Sequence, residues 1–254
     1  MTTTLAVANQ KGGVAKTTTV ASLGAALCEL GQRVLLVDLD PQACLTFSLG
    51  IDPEDLELSV HQVLLGRRRA AEVVIATDDG PDLVPATIEL AGAEAALLTR
   101  TGREQVLRVA LEDVSGAYDW VIIDCPPSLG VLTVAGLSAA DALVIPLQCE
   151  TLSHRGVGQL LDTVHDVRRF ANRGLAVWGV LPTSYDGRTK HARAVLEAVS
   201  SDFELPVLTP AIPKTIRFAE APAIGRSILG TSRTHRGAQA YRDLAATLLR
   251  DSAR

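Results

Sequence analysis

The chain has 254 residues, 47% hydrophobic and 21% charged, enough to bury a full core in one large domain or two small ones, which excludes intrinsic disorder. Its net charge of −5 divides into −11 over residues 1–150 (9 Lys and Arg against 20 Asp and Glu) and +6 over residues 151–254 (15 against 9); a basic half points weakly to a nucleic-acid or membrane surface, or else to solvated faces that happen to differ. No apolar run reaches the roughly 18 residues that span a bilayer, Lys11 arrives too early for a secretory signal, and Cys28, Cys44, Cys125 and Cys149 stand too far apart for a disulfide frame or a zinc site, a pattern that suits a reducing cytoplasm.

Apolar runs of strand length alternate with amphipathic stretches of helix length, the pattern of a parallel sheet covered on both faces. Strands are predicted at Thr3–Ala8, Arg33–Asp38, Asp82–Pro85, Trp120–Asp124, Ala142–Gln148 and Leu175–Leu181, with a short one at Val207–Leu208. Helices are predicted at Thr17–Leu30, Ser59–Leu65, Ile88–Leu98, Arg103–Val114, Leu129–Ser138, Ser153–Asn172, Lys190–Ser201 and Thr234–Arg250. Right-handed crossovers make this one doubly wound, mainly parallel α/β domain over residues 1–254, its ligand crevice at the carboxyl ends of the strands.

The first strand runs straight into Asn9–Thr19 (NQKGGVAKTTT) and then a helix. Gly12 and Gly13 allow a tight turn whose amides, continued through Val14 and Ala15, point at an anion. The helix N-terminus adds partial positive charge. From there Lys16 can reach the β- and γ-phosphates, the Thr17 hydroxyl can ligate Mg²⁺, and Thr18 can donate on the α-phosphate side. Two of the four lysines in the chain, Lys11 and Lys16, fall in this one loop. Gln10 and Ala15 stand where a strict P-loop has glycines. A right-handed conformation is expected at Ala15, because a left-handed one would cost about 1–2 kcal/mol.

The next strand ends in VLLVDLDPQ, which sets Asp38 and Asp40 at the same edge. Asp38 supports the metal's water shell or caps the following turn, and both readings stay open. The strand WVIIDCPPSLG ends in Asp124, a carboxylate placed to hold Mg²⁺ directly or through water. Pro126 and Pro127 stiffen the loop behind it, and Cys125 reads as a small buried residue. The Arg67–Arg69 tract reads as an exposed loop after a helix.

These motifs together resemble the ParA/MinD family of P-loop ATPases, whose deviant Walker A motif is K-G-G-x-G-K-[S/T]. D-C-P-P-S-L-G is similar to the chromosome-partitioning branch. The resemblance covers essentially the whole chain. It implies an ATPase using ATP and Mg²⁺, with Lys16 on its own subunit's phosphates and Lys11 reaching the partner's nucleotide in a homodimer. It implies that Asp40 orients the attacking water. AIPKTIRFAEAP resembles the family's base-side segment, so Pro213 and Thr215 are expected beside the adenine, with Lys214 and Thr215 in place of the usual Arg and Asn.

Arg188, Lys190, Lys214, Arg217 and Arg226 are candidates for a DNA phosphate face, sequence-independent and salt-sensitive because no aromatic ladder accompanies them. The phosphate loop begins at Asn9, so no DNA-reading extension is expected ahead of it, as in the short chromosomal-type branch. The implied partners are nonspecific DNA and a ParB-like activator, in a cytoplasmic, nucleoid-associated setting. The C-terminal stretch has Tyr241, Leu244, Leu248 and Leu249 at helical spacing, and is expected to pack on the domain rather than anchor it to a membrane. The competing expectations are a MinD-like positioning ATPase on a membrane or protein scaffold, and a metabolic ATP-dependent ligase on the same fold.

Overall fold

In the computed structural model, which describes residues 2–150 and 153–252, the strand-length apolar runs become a single seven-stranded sheet. The strands are β1 (Thr3–Val7), β2 (Val34–Asp38), β3 (Ile75–Ala76), β4 (Asp82–Val84), β5 (Trp120–Asp124), β6 (Ala142–Gln148) and β7 (Ala176–Thr183). Their spatial order is β3-β4-β2-β5-β1-β6-β7, parallel throughout except for the β3–β4 pair at one edge. The central strands are buried on both faces, as their unbroken Val, Leu and Ile content requires.

The helices are α1 (Lys16–Glu29), α2 (Cys44–Ser48), α3 (Val60–Leu64), α4 (Leu90–Leu97), α5 (Val106–Leu111), α6 (Val131–Ala139), α7 (Ser153–Phe170), α8 (Lys190–Asp202), α9 (Arg217–Glu220), α10 (Ile228–Thr231) and α11 (Arg236–Ser252). Strand alternation divides the core into two layers. Leu5, Val7, Leu36 and Ile122 pack with Val20, Leu23 and Leu27 of α1 and with Leu244 and Leu248 of α11. Ala6, Leu35, Val37 and Ile123 pack on the other side, against residues of α3 to α7. Among the described residues no helix is long and apolar enough to cross a membrane.

Six of the predicted strands form within two residues of their expected bounds. The seventh does not: Val207 makes a single parallel bridge to Val180 rather than a strand. The two-residue β3 and the short helices α2, α9 and α10 carry no periodic signal and were not expected. The Arg103–Val114 helix breaks into a 3-10 turn (Arg103–Gln105) followed by α5. All four cysteines are free, and Cys125 is fully buried.

Helix α11 lies on the domain, as its apolar spacing predicts. Tyr241 is fully buried there, and its hydroxyl meets the Thr19 hydroxyl of α1 at 3.0 Å. That bond fastens the last helix to the helix that follows the phosphate loop. Tyr241→Phe leaves the Thr19 hydroxyl unpaired in the core and should cost about 1 kcal/mol in urea unfolding, with no change in m-value.

Candidate functional site

The register of the central strands assembles the site. Val7 of β1 and Asp38 of β2 are both paired with Asp124 of β5, so the phosphate loop and two carboxylates leave the sheet at one level. Both carboxylates are buried, Asp124 at 1% exposure and Asp38 at 0%.

The loop between β1 and α1 is tied down on several sides. Asn9 donates through Nδ2 to the Pro146 carbonyl at 2.8 Å and accepts from the Lys11 amide at 3.0 Å. Gln148 donates to the Gly13 carbonyl at 2.7 Å, and the Thr183 hydroxyl donates to the Val14 carbonyl at 3.0 Å. Gly13 is left-handed at φ 74°, and open space surrounds both Gly12 and Gly13 on the side where a side chain would lie.

Ala15 overturns its expectation. It sits at φ 67°, ψ 34°, in the left-handed region, and serves as the uncapped N-cap of α1. The reason is geometric: the chain must reverse into α1 while its amides stay turned inward, and the surrounding hydrogen bonds enforce that turn even without a glycine. Ala43, ahead of α2, repeats the arrangement at φ 52°, also without a side-chain cap. The first turn of α1 thus has no side-chain cap, whereas in α2 the Ala43 amide donates to the Asp40 carbonyl at 2.8 Å and the Thr46 amide to Asp38.

Lys16 is buried beneath the loop and donates to the Lys11 carbonyl at 3.3 Å. Burial lowers its pKa, while the charge of Asp124 opposes that shift. Thr17 donates to Asp124 Oδ2 at 2.7 Å. Burial pushes the Asp124 carboxyl well above the ordinary range, and the neighbouring Asp38 charge pushes the same way. Its second oxygen, Oδ1, is buried without a protein partner. An orphaned buried oxygen beside a threonine hydroxyl and a desolvated ammonium fits the water shell of a Mg²⁺ ion held against phosphates. Among the described residues no cluster of three His, Cys, Asp or Glu could hold a metal ion.

Asp38 makes the bonds of a capping residue. Its Oδ2 accepts from the Thr46 amide at 2.9 Å and the Thr46 hydroxyl at 2.8 Å, and its Oδ1 accepts from the Asp40 amide at 3.1 Å. Burial raises its pKa to about 6 despite these bonds. Asp40 is half-buried, and its Oδ1 accepts from the Gln42 amide at 3.0 Å. Thr46 also accepts from the Ala86 amide at 2.9 Å, joining the Asp38–Asp40 turn to the segment after β4. Sequence reasoning missed Thr46, which has no motif around it. It also missed Gln148 and Glu150, although their place at the carboxyl end of β6 was a usable signal.

Lys11 lies at the mouth of the loop, its side chain 31% exposed, in an ion pair with Glu150. Pro213 pairs with Tyr185 as an isolated bridge, and the Thr215 hydroxyl lies 3.4 Å from His235 Nε2. The candidate basic face is only partly gathered. Arg188 pairs with Asp186 at 2.9 Å, Arg217 with Glu220 at 2.8 Å, and Arg226 reaches Asp78 at 3.1 Å, in the turn between β3 and β4. Lys190 and Lys214 are exposed and have no ion pair among the described residues.

Residues 2–177 match the family described as AAA domain. The chain is 46% identical over 242 residues to the sporulation initiation inhibitor protein Soj of Bacillus subtilis, covering 95% of this chain and 96% of Soj. It is 41% identical over 248 residues to the chromosome partitioning protein ParA of Caulobacter vibrioides, covering 96% and 93%. Among solved structures, a Mycobacterium smegmatis protein described as cobyrinic acid a,c-diamide synthase with bound ADP and magnesium superposes at a TM-score of 0.90, with 57% identity over 100% of this chain and 97% of that one.

Two stability outcomes follow from the site. Ala15→Gly should raise the unfolding free energy by about 0.5–1 kcal/mol, the left-handed strain relieved exceeding the freedom glycine gains in the unfolded chain. Asp124→Asn should abolish the stabilisation of the protein by magnesium with nucleotide in differential scanning fluorimetry, because the carboxylate beside Thr17 is lost.

Proposed function

The chain belongs to the ParA/MinD family of P-loop ATPases, and we propose that it is a Soj-type partitioning ATPase that dimerises around two ATP molecules and holds DNA without sequence preference until a ParB-like partner stimulates hydrolysis. The observation that carries this reading is the pair of ammonium groups around one anion cradle. Lys16 is buried in it, and Lys11 stands at its exposed mouth.

The backbone from Gly12 to Lys16, with Thr17 and Thr18 opening α1, binds the phosphates. Lys16 balances their charge in a site where burial keeps water from doing so. Thr17 and Asp124 hold Mg²⁺. When bound, that ion supplies Lewis-acid polarisation of the phosphate oxygens. Asp40 orients the attacking water: its amide is pinned by Asp38, while its carboxylate stays half-buried at the edge of the crevice. Asp38 acts one layer behind, as a positioning residue locked by Thr46. Lys11 leaves Glu150 to reach the partner's nucleotide, where a second cation offsets the charge of phosphoryl transfer. Pro213 and Thr215 border the base. Lys190 and Lys214, with Arg188, Arg217 and Arg226, supply the phosphate-binding face for DNA.

Amide synthesis, the activity in the description of the Mycobacterium smegmatis structure, is a second reading on this fold. It needs an acceptor pocket beside the phosphates and, with glutamine as nitrogen donor, a reactive thiolate. The hollow beside Thr17 and Thr18 measures only about 20 Å³. Burial raises all four thiols, Cys28 and Cys149 to about 11. Those features favour the partitioning ATPase.

Gel filtration should show a monomer without ATP and a dimer with it, and DNA retention should follow the dimer and weaken with salt. Lys11→Ala should lose both the dimer and partner-stimulated turnover. Asp40→Ala should keep the ATP dimer on DNA while turnover falls about 10²-fold or more. A Lys11→Ala protein that dimerises and hydrolyses ATP like its parent overturns the assignment. Lys190→Glu with Lys214→Glu should reduce the salt slope of DNA retention by about 2. Phosphate release driven by a metabolite, and not by DNA and partner, would transfer the protein to the ligase reading.

A further inference from the structure

The Arg67–Arg69 tract, which the nucleotide chemistry leaves unused, lines a groove of about 540 Å³ between α3 and α5. None of its lining residues belongs to the phosphate loop or to the candidate DNA face. Val106, Val109 and the end of α3 make an apolar floor, and Val109 is 61% exposed. Around that floor stand Arg67, Arg68, Arg69 and Arg100, against the two carboxylates Glu72 and Asp113. The lining therefore carries two positive charges in excess, in a stretch of chain whose overall balance is strongly negative.

The arginines are not neutralised by their surroundings. Arg68 and Arg69 share Glu72, at 3.7 and 3.6 Å. Arg67 and Arg100 have no ion pair among the described residues. Arg100 is held in place from behind, donating through Nη1 to the Leu64 carbonyl at 2.9 Å, which leaves the rest of its guanidinium fork for another acceptor.

We propose that this groove docks an acidic peptide segment of a partner protein, its carboxylates on Arg67 and Arg100 and a bulky apolar side chain on Val106 and Val109. An apolar floor ringed by planar guanidinium donors matches carboxylates carried beside an apolar anchor. A nucleic-acid backbone calls for cations repeated along its length, whereas these four arginines are confined to one short groove and interrupted by Glu72 and Asp113.

The test uses the whole protein and a fluorescein-labelled dodecapeptide of glutamate and leucine bearing a benzophenone. Anisotropy should detect saturable binding, and cross-links should fall within residues 60–72 and 98–113. Arg67→Glu with Arg100→Glu should weaken binding about tenfold or more, and Val109→Asp about fivefold. Val109→Ser serves if the aspartate variant fails to fold. ATP turnover should match the parent in each. Replacing the peptide's leucines with serine should abolish binding, because charge alone does not use the floor. The proposal is overturned if the serine peptide binds equally, if the arginine variants bind the peptide like the parent, or if cross-links fall elsewhere. It is also overturned if these variants lose retention of a DNA duplex, or if sedimentation shows that they break a self-association through this face.

Discussion

Everything at the carboxyl edge of the sheet depends on charge kept out of water. Lys16, Asp38 and Asp124 are buried together below one loop, and burial moves each away from its charged form. Such a cluster opposes folding, since desolvation of ions exceeds their mutual attraction unless every remaining lone pair and proton is satisfied. Here one lone-pair site, Asp124 Oδ1, is left unsatisfied. The sheet supplies the compensation: three parallel strands buried on both faces fix the rows that end in Val7, Asp38 and Asp124. The apolar core thus stabilises a polar edge that would not persist alone.

Backbone strain is distributed around the same place. Two alanines, Ala15 and Ala43, hold left-handed conformations at the heads of the two helices that border the crevice. Neither can cap its helix through a side chain, so the first amides of α1 stay available, while in α2 Asp38 already accepts from the Thr46 amide. A serine or aspartate at those positions would have answered those amides internally. The strained alanines therefore serve the same end as the buried charges, a site made receptive to an anion at some cost to the nucleotide-free protein.

Much of this was legible in the sequence, because buried parallel strands are continuous apolar runs and their carboxyl ends carry the polar residues. Trp120–Asp124 and Ala142–Gln148 form as read, and the loop they flank joins β1 to α1 as its motif implied. What escaped is set by tertiary context. The conformation of Ala15 is imposed by bonds from Gln148 and Thr183, which lie more than 130 positions away. The role of Asp38 was ambiguous because its partner, Thr46, sits on a five-residue helix too short to show a period. The basic residues read as one face are divided by local carboxylates, and only the fold reveals that Arg226 turns toward Asp78.

The bond between Thr19 and Tyr241 joins positions 222 residues apart. Helix α1 therefore receives the α11 part of its covering layer only after those intervening residues have been made. A chain that has reached only its first strands lacks the α11 residues that pack on its phosphate-binding helix.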